Sequence, residues 1–229
     1  MTAVSRSLRR SKRAIRGAAS RAAVRGVGAR TGLPGAGDAV ALTFDDGPDP
    51  EFAPAFLDEL RRLGIVATFF VVGHRARSRP DLVRRALDEG HAVGSHSDTH
   101  PEPWTVPLPA LARDYRRGRH AAEAALGRRV RLFRPPKGYL DGAGAAAVLA
   151  AGVRPWLWTI DPEDWQPGAT TEGILRGLAG MAGGDVVLLH DAIEGPLAPS
   201  ALDRSATLAA LPAVAELAGE RGLRFTTRA

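Results

Sequence analysis

Five short clusters hold side chains able to move a proton or bind a cation. The first, Thr43-Phe44-Asp45-Asp46-Gly47-Pro48, sets two carboxylates side by side at the end of an apolar run. Like charges that close are costly unless a cation or a proton separates their roles. Alone, the hexapeptide reads equally well as a turn with one spare carboxylate. The second cluster, Gly94-Ser95-His96-Ser97-Asp98-Thr99-His100-Pro101, carries two imidazoles four residues apart. That spacing can bring both to one ion on a helical turn, and borderline metals such as zinc favour imidazole combined with carboxylate. The chain has no Cys, so a bound metal must use His and carboxylate, and thiol chemistry and disulfides are excluded. His74, His91 and His120 lack such company and read as structural.

The third cluster, Arg134-Pro135-Pro136-Lys137-Gly138, is a stiff turn that fixes a guanidinium able to orient a carboxylate through paired hydrogen bonds or simply to bridge to a surface acid. The fourth, Trp158-Thr159-Ile160-Asp161-Pro162-Glu163-Asp164-Trp165, joins acids to indoles, a pairing common in sugar sites, though a core Trp is commoner still. The fifth, Val186-Val187-Leu188-Leu189-His190-Asp191, ends an apolar strand on His, which becomes a general acid once a carboxylate fixes its tautomer.

Positioning these clusters requires alternating elements. Strand-like runs are predicted at Ala39–Phe44, Ala67–Val72, Ala92–Ser95, Arg131–Phe133, Arg154–Thr159, Asp185–Leu189 and Leu223–Thr227. Helical spacing is predicted at Glu51–Leu63, Pro80–Glu89, Ala110–Ala125, Gly142–Ala151, Thr171–Met181 and Ala201–Arg221, with Gly64, Gly90, Gly152 and Gly222 as stops. Such alternation means parallel strands with right-handed crossovers, as a barrel or a doubly wound sheet. Each chemical cluster then falls at or just past the carboxyl end of a strand, where α/β barrels assemble their sites.

At 229 residues, 45% apolar and 24% charged, the chain has the composition of one soluble globular domain. The net charge of +6 suggests nucleic-acid binding until it is placed along the chain. Residues 1–37 hold nine basic and no acidic side chains, leaving 22 basic against 25 acidic from Asp38 onward. The basic character belongs to a leader, and no nucleic-acid partner is expected. Arg16, Arg21 and Arg25 interrupt every apolar stretch that would make a secretory signal, so export by the general route is not expected. Two readings of the leader stay open: a basic helix over Ser11–Arg30 in weak contact with an anionic membrane surface, or a solvated flexible segment.

Taken in order, the five clusters resemble the polysaccharide deacetylase family, carbohydrate esterase family 4, over about Val40 to Thr227. Linking stretches fit as well: Ala67-Thr68-Phe69-Phe70-Val71-Val72-Gly73 and Gly90-His91-Ala92-Val93-Gly94-Ser95-His96. The resemblance implies a single catalytic domain, residues 38–229, folded as a distorted (β/α) barrel with about seven parallel strands. It implies one divalent metal, usually zinc and sometimes cobalt or another ion, held by Asp46, His96 and His100. Asp45 would be the general base, tuned by Arg134, and His190 the general acid, oriented by Asp164. Leu188 and Trp165 would wall the pocket for the acetyl methyl group of an N-acetylated sugar.

One position departs from the family pattern: Lys137 stands where an aromatic residue, usually Tyr, is common. Because the family uses the backbone N–H there, catalysis survives the change, while the surface offered to the sugar differs. Lys137 would meet an acidic group on the substrate or point to solvent. With two Tyr and four Trp, a short substrate is favoured over a long glycan on an aromatic platform. Two rivals remain, a related amidase or deformylase acting on another C–N bond, and an inactive sugar-binding protein.

Overall fold

The first strand, β1 (Ala39–Asp45), is buried at every residue, as a strand covered on both faces must be. Its side chains divide by parity. Val40, Leu42 and Phe44 face outward and pack with Phe69, Val71, Val187 and Leu189 of neighbouring strands against Phe56, Leu60, Val83, Leu211 and Val214. Ala41 faces inward with Phe70, Trp156 and Val186. Successive strand side chains point to opposite faces, so Thr43 and Asp45 follow Ala41 into the interior.

In this computed structural model, which describes residues 26–195 and 202–227, the later elements repeat the plan. They are α1 (Ala53–Leu63), β2 (Thr68–Val71), α2 (Gly73–Ser78), α3 (Pro80–Asp88), β3 (Ala92–Ser95), α4 (Leu108–Leu126), β4 (Leu132–Phe133), a 3-10 turn (Pro136–Gly138), α5 (Gly142–Ala151), β5 (Arg154–Pro155), α6 (Thr171–Gly177), β6 (Val186–His190), α7 (Ser205–Glu220) and β7 (Arg224–Phe225). The sheet runs β5-β4-β3-β2-β1-β6, with β7 pairing the start of β1, and every pairing is parallel. A single bridge between Ile160 and Val187 joins the two ends, flanked by Thr159 N–H to Val186 O at 2.9 Å and Leu188 N–H to Ile160 O at 2.9 Å. This is the distorted barrel expected, with seven parallel strands and seven α-helices among the described residues.

Helix ends follow local chemistry. The Asp141 carboxylate accepts from Gly144 N–H and the Thr170 hydroxyl from Gly173 N–H, covering donors that a first turn leaves bare. At the other end, Gly64 (φ 68°) and Gly152 (φ 66°) take the left-handed conformation that stops α1 and α5.

Three expectations differ in extent by four residues or more. β5 ends at Pro155, because Trp156 bridges to Arg30 and Ile160 to β6 instead of continuing along β4. α6 ends at Gly177 because Leu178, Ala179 and Met181 donate to carbonyls three residues back. The last helix begins at Ser205; Ala201, where it was expected to start, lies outside the described residues, as do residues 1–25. The packed body reaches back past Asp38: Arg30 N–H donates to Pro155 O, Leu157 N–H donates to Arg30 O, and Leu33 is buried. No described helix is long and apolar enough to cross a membrane.

Candidate active site

Register carries the chemistry to one place. Asp45 lies level with Phe70 of β2 and His190 of β6, and Thr43 lies level with Leu188, so all these side chains enter the barrel from its carboxyl end. Arg134 follows β4 and is fully buried. Its Nη1 donates to Asp45 Oδ1 at 2.8 Å and to Thr43 Oγ1 at 2.7 Å, its Nε donates to Trp156 O at 3.0 Å, and its plane lies 4.2 Å over the Phe70 ring. Burial pushes this guanidinium down from its usual range, against the opposing pull of Asp45. A charge removed from water in this way survives only with matched partners, and Arg134 has them.

Asp46, His96 and His100 converge beside this pair, with one donor atom from each lying within 4.8 Å of the others. His96 Nδ1 is 2.7 Å from Arg134 O, which fixes the ring so that Nε2 faces Asp46 Oδ1 at 3.3 Å. His100 Nε2 lies 3.5 Å from the same oxygen. Asp46 Oδ2 is occupied, accepting from Glu194 N–H at 2.9 Å, whereas buried Oδ1 accepts no hydrogen bond. Ligands about 2.1 Å from a shared tetrahedral ion stand about 3.4 Å apart. The spacing of these atoms and the bare oxygen therefore fit a divalent cation.

The charges agree. Burial opposes ionisation of Asp46, but His96, with His100 and His190, holds its carboxyl far below the usual range. Burial also opposes protonation of His96, which Asp45 and Asp46 overcome, raising it, while burial prevails at His100 and lowers it. A cation at this point takes the place of the proton that these acids draw onto His96.

His190 faces the trio from β6. Its Nδ1 lies 2.7 Å from Asp164 Oδ1, and its backbone N–H donates to Asp164 Oδ2 at 2.9 Å. Burial pushes the imidazole down, but Asp164, helped by Asp46 and Asp45, raises it to about 9. The imidazole is thus charged at neutral pH, with Nε2 left to donate.

All ten residues singled out in the sequence lie on the loops or strand ends at this mouth. Leu188 points inward and is buried; Trp165 is partly covered and donates from Nε1 to Asp161 Oδ1 at 3.3 Å; Lys137 sits on the rim, ion-paired with Glu102. Sequence reasoning missed the supports. Thr43 joins Arg134 to β6 by donating to Val187 O at 2.6 Å. Buried Thr207 and Arg204, from the start of α7, donate to Asp164 Oδ2 at 3.0 Å and to Asp164 O at 2.8 Å. Arg75 clamps the loop of Glu194 through Glu194 Oε2 at 2.8 Å and Asp49 Oδ2 at 3.0 Å. Thr43 lies inside the first cluster, where nothing local discloses its role, and no motif marks the others, since each acts through a partner distant in sequence.

Backbone strain points to the same mouth. Among the described residues, the non-glycine positions with left-handed φ are Asp46, Ser97, His100, Lys137 and Glu163, each on a loop that follows β1, β3, β4 or β5. Each such position costs on the order of 1 kcal/mol or more and persists where the surroundings over-determine it.

Comparison with known proteins agrees with this geometry. A family model described as polysaccharide deacetylase matches residues 33–156. A peptidoglycan-N-acetylglucosamine deacetylase of Bacillus cereus is 38% identical over 192 residues, covering 82% of this chain and 85% of the relative. A chitooligosaccharide deacetylase of Sinorhizobium fredii is 36% identical over 154 residues, covering 67% of this chain and 72% of the relative. Among solved structures, a family 4 carbohydrate esterase from Streptomyces lividans in complex with acetate superposes with a TM-score of 0.73 at 32% identity, covering 82% of this chain and 91% of that one.

Proposed function

This chain belongs to the polysaccharide deacetylase family, and on that premise we propose that it hydrolyses the N-acetyl amide of an amino sugar within a glycan, releasing acetate and a free amine. The catalytic body in this reading is residues 38–229, with the packed stretch from Arg30 as its edge. One divalent ion held by Asp46, His96 and His100, zinc by this donor set or cobalt in its place, would polarise the amide carbonyl and acidify the attacking water.

The remaining work falls to the chain's own side chains. Asp45, held by Arg134 Nη1, takes the proton from the attacking water as general base. His190, held by Asp164, gives its Nε2 proton to the leaving nitrogen, without which the amine would have to depart as an anion. Using separate groups avoids asking one side chain for both transfers. In this reading Leu188, which is buried, and Trp165 wall the space for the acetyl methyl group, and Lys137 contacts the substrate from the rim.

The observation that carries this reading is Asp46 Oδ1, buried, without a hydrogen bond, and facing two imidazole nitrogens. The test is to strip the protein of metal, restore zinc or cobalt, and measure acetate from N-acetylglucosamine oligomers beside Asp45→Asn. Metal-dependent release that the variant loses supports the reading; no release from any oligomer, with metal bound, refutes it.

A further inference from the structure

The loop after β3 continues past His100 into Glu102-Pro103-Trp104 and carries an aromatic residue that the fold does not need. Trp104 is 54% exposed, and among the described residues it is the one aromatic side chain in the exposed apolar set. It is nonetheless held in place. The Tyr139 ring meets it edge-on, with centroids 5.4 Å apart at 68°, and Lys137 Nζ stands 5.4 Å over the indole. Lys137 in turn is ion-paired with Glu102, both about half exposed. These residues come from the two loops that also deliver His100 and Arg134, so the patch borders the mouth of the barrel.

The parts match one kind of ligand. A pyranose offers an apolar C–H face that covers an indole, and a ring of hydroxyls that bond charged groups on both sides. An indole already braced by Tyr139 gives up little rotamer freedom when the sugar arrives. The charge balance narrows the choice. Lys137 is the cation nearest the indole, and Glu102 neutralises it, so an acidic substituent would meet a carboxylate as well as an ammonium. A neutral sugar meets a donor and an acceptor side by side.

We propose that Trp104, with the Glu102–Lys137 pair, forms a subsite for an uncharged pyranose adjoining the sugar that is deacetylated. The inference rests on the deacetylase reading and adds a preference: oligomers of neutral amino sugars over shorter ones, and over glycans bearing carboxylates. Trp104 positions the chain, and Glu102 sets its charge selectivity by masking Lys137.

The test uses the full metal-loaded chain with three substrates: the N-acetylglucosamine monosaccharide, which leaves the adjoining position empty, the tetramer, and a tetrasaccharide of the same length whose alternate sugars carry lactyl carboxylates. Trp104→Ala is expected to lower the tetramer-to-monosaccharide ratio of kcat/KM about tenfold, the scale of one lost aromatic contact, mainly through KM. Glu102→Gln, which unmasks Lys137, is expected to shift preference toward the acidic tetrasaccharide. A tetramer-to-monosaccharide ratio unmoved by Trp104→Ala, or a neutral-to-acidic ratio unmoved by Glu102→Gln, overturns the inference while leaving the deacetylase reading intact. If the wild type releases no acetate, the activity reading falls alone. Calorimetric titration of the tetramer onto wild type and Trp104→Ala then decides the subsite: a tenfold weaker affinity supports it, and equal affinity overturns it.

Discussion

Replacing Asp164 by Asn isolates the charge that prepares the acid. The side chain keeps its shape, and its oxygen still accepts from Thr207, but the anion 2.7 Å from His190 Nδ1 is gone. In the wild type His190 is raised from 6.5 to about 9 against the opposing effect of burial. That displacement of about 2.5 units corresponds to about 3 kcal/mol of preference for the protonated ring. Asp164 is the largest raising cause, so without it the imidazole falls to its ordinary range or below. An acid catalyst must be protonated, and activity is lost on the alkaline side of its titration. The alkaline limb of kcat/KM for acetate release, near pH 9 or somewhat below when a cation offsets Asp46 and Asp45, should therefore move down by about two units. At pH 7.5 the variant should lose on the order of a hundredfold or more in kcat, the usual worth of a positioned acid. Stability shifts in the matching window. A His raised in the folded state stabilises fully below pH 6.5 and ceases to do so as pH passes through about 9. The melting deficit of Asp164→Asn should therefore be largest near pH 6 and shrink above pH 9. An alkaline limb unchanged in the variant would remove His190 from the role of acid.

Two further outcomes follow from packing and charge near the mouth. Gly118 of α4 has no room for a methyl group, since an added Cβ would lie 2.0 Å from Ser97 O, so Gly118→Ala must push the loop that carries His96 and His100. The expected cost is about 1–3 kcal/mol, or about 2–10 °C in Tm, together with weaker zinc binding by competition with a chelator; unchanged zinc affinity would show that the loop absorbs the strain elsewhere. Asp191 is buried behind Gly47, and burial first, then Asp46, raises its carboxyl to about 7. Ionising it is disfavoured in the fold, so stability is lost as pH climbs from about 4 to about 7, by up to about 4 kcal/mol. In metal-free protein Asp191→Asn should melt higher than wild type by a margin that widens from pH 5 to pH 8, and a margin independent of pH would contradict the assignment.

What the sequence discloses follows from how local each signal is. β3 and α5 have the bounds expected because alternation, helical period and a terminal Gly are all contained in the segment. α2 goes unforeseen because its six residues are too few and too polar to show a period. The run after Arg154 announces burial but not a partner: Trp156 and Ile160 are apolar for different reasons, one bridging to Arg30 and the other to Val187. The side chains proposed to touch the reaction stand out as clusters, since each gathers titratable groups at the end of an apolar run. Thr207, Arg204 and Glu194 do not, and Thr43, though inside the first cluster, shows no role there, because their worth lies in contacts across 43, 40, 148 and 144 residues of sequence.

The closing of the barrel has a kinetic corollary. Between β5 and β6 the wall is a single bridge at Ile160, and Asp164 sits four residues beyond it, while His190 stands on the far side at the end of β6. The proposed acid and its orienting carboxylate thus face each other across a seam closed by one bridge. Amide exchange at Ile160 and Leu188 should report openings of that seam at a lower free energy than exchange in β1, which is paired along both edges. Each opening would part His190 from Asp164 while leaving Asp45, Arg134 and the Asp46 trio assembled. The half of the site proposed to donate the proton should thus come apart while the half proposed to bind the ion stays whole.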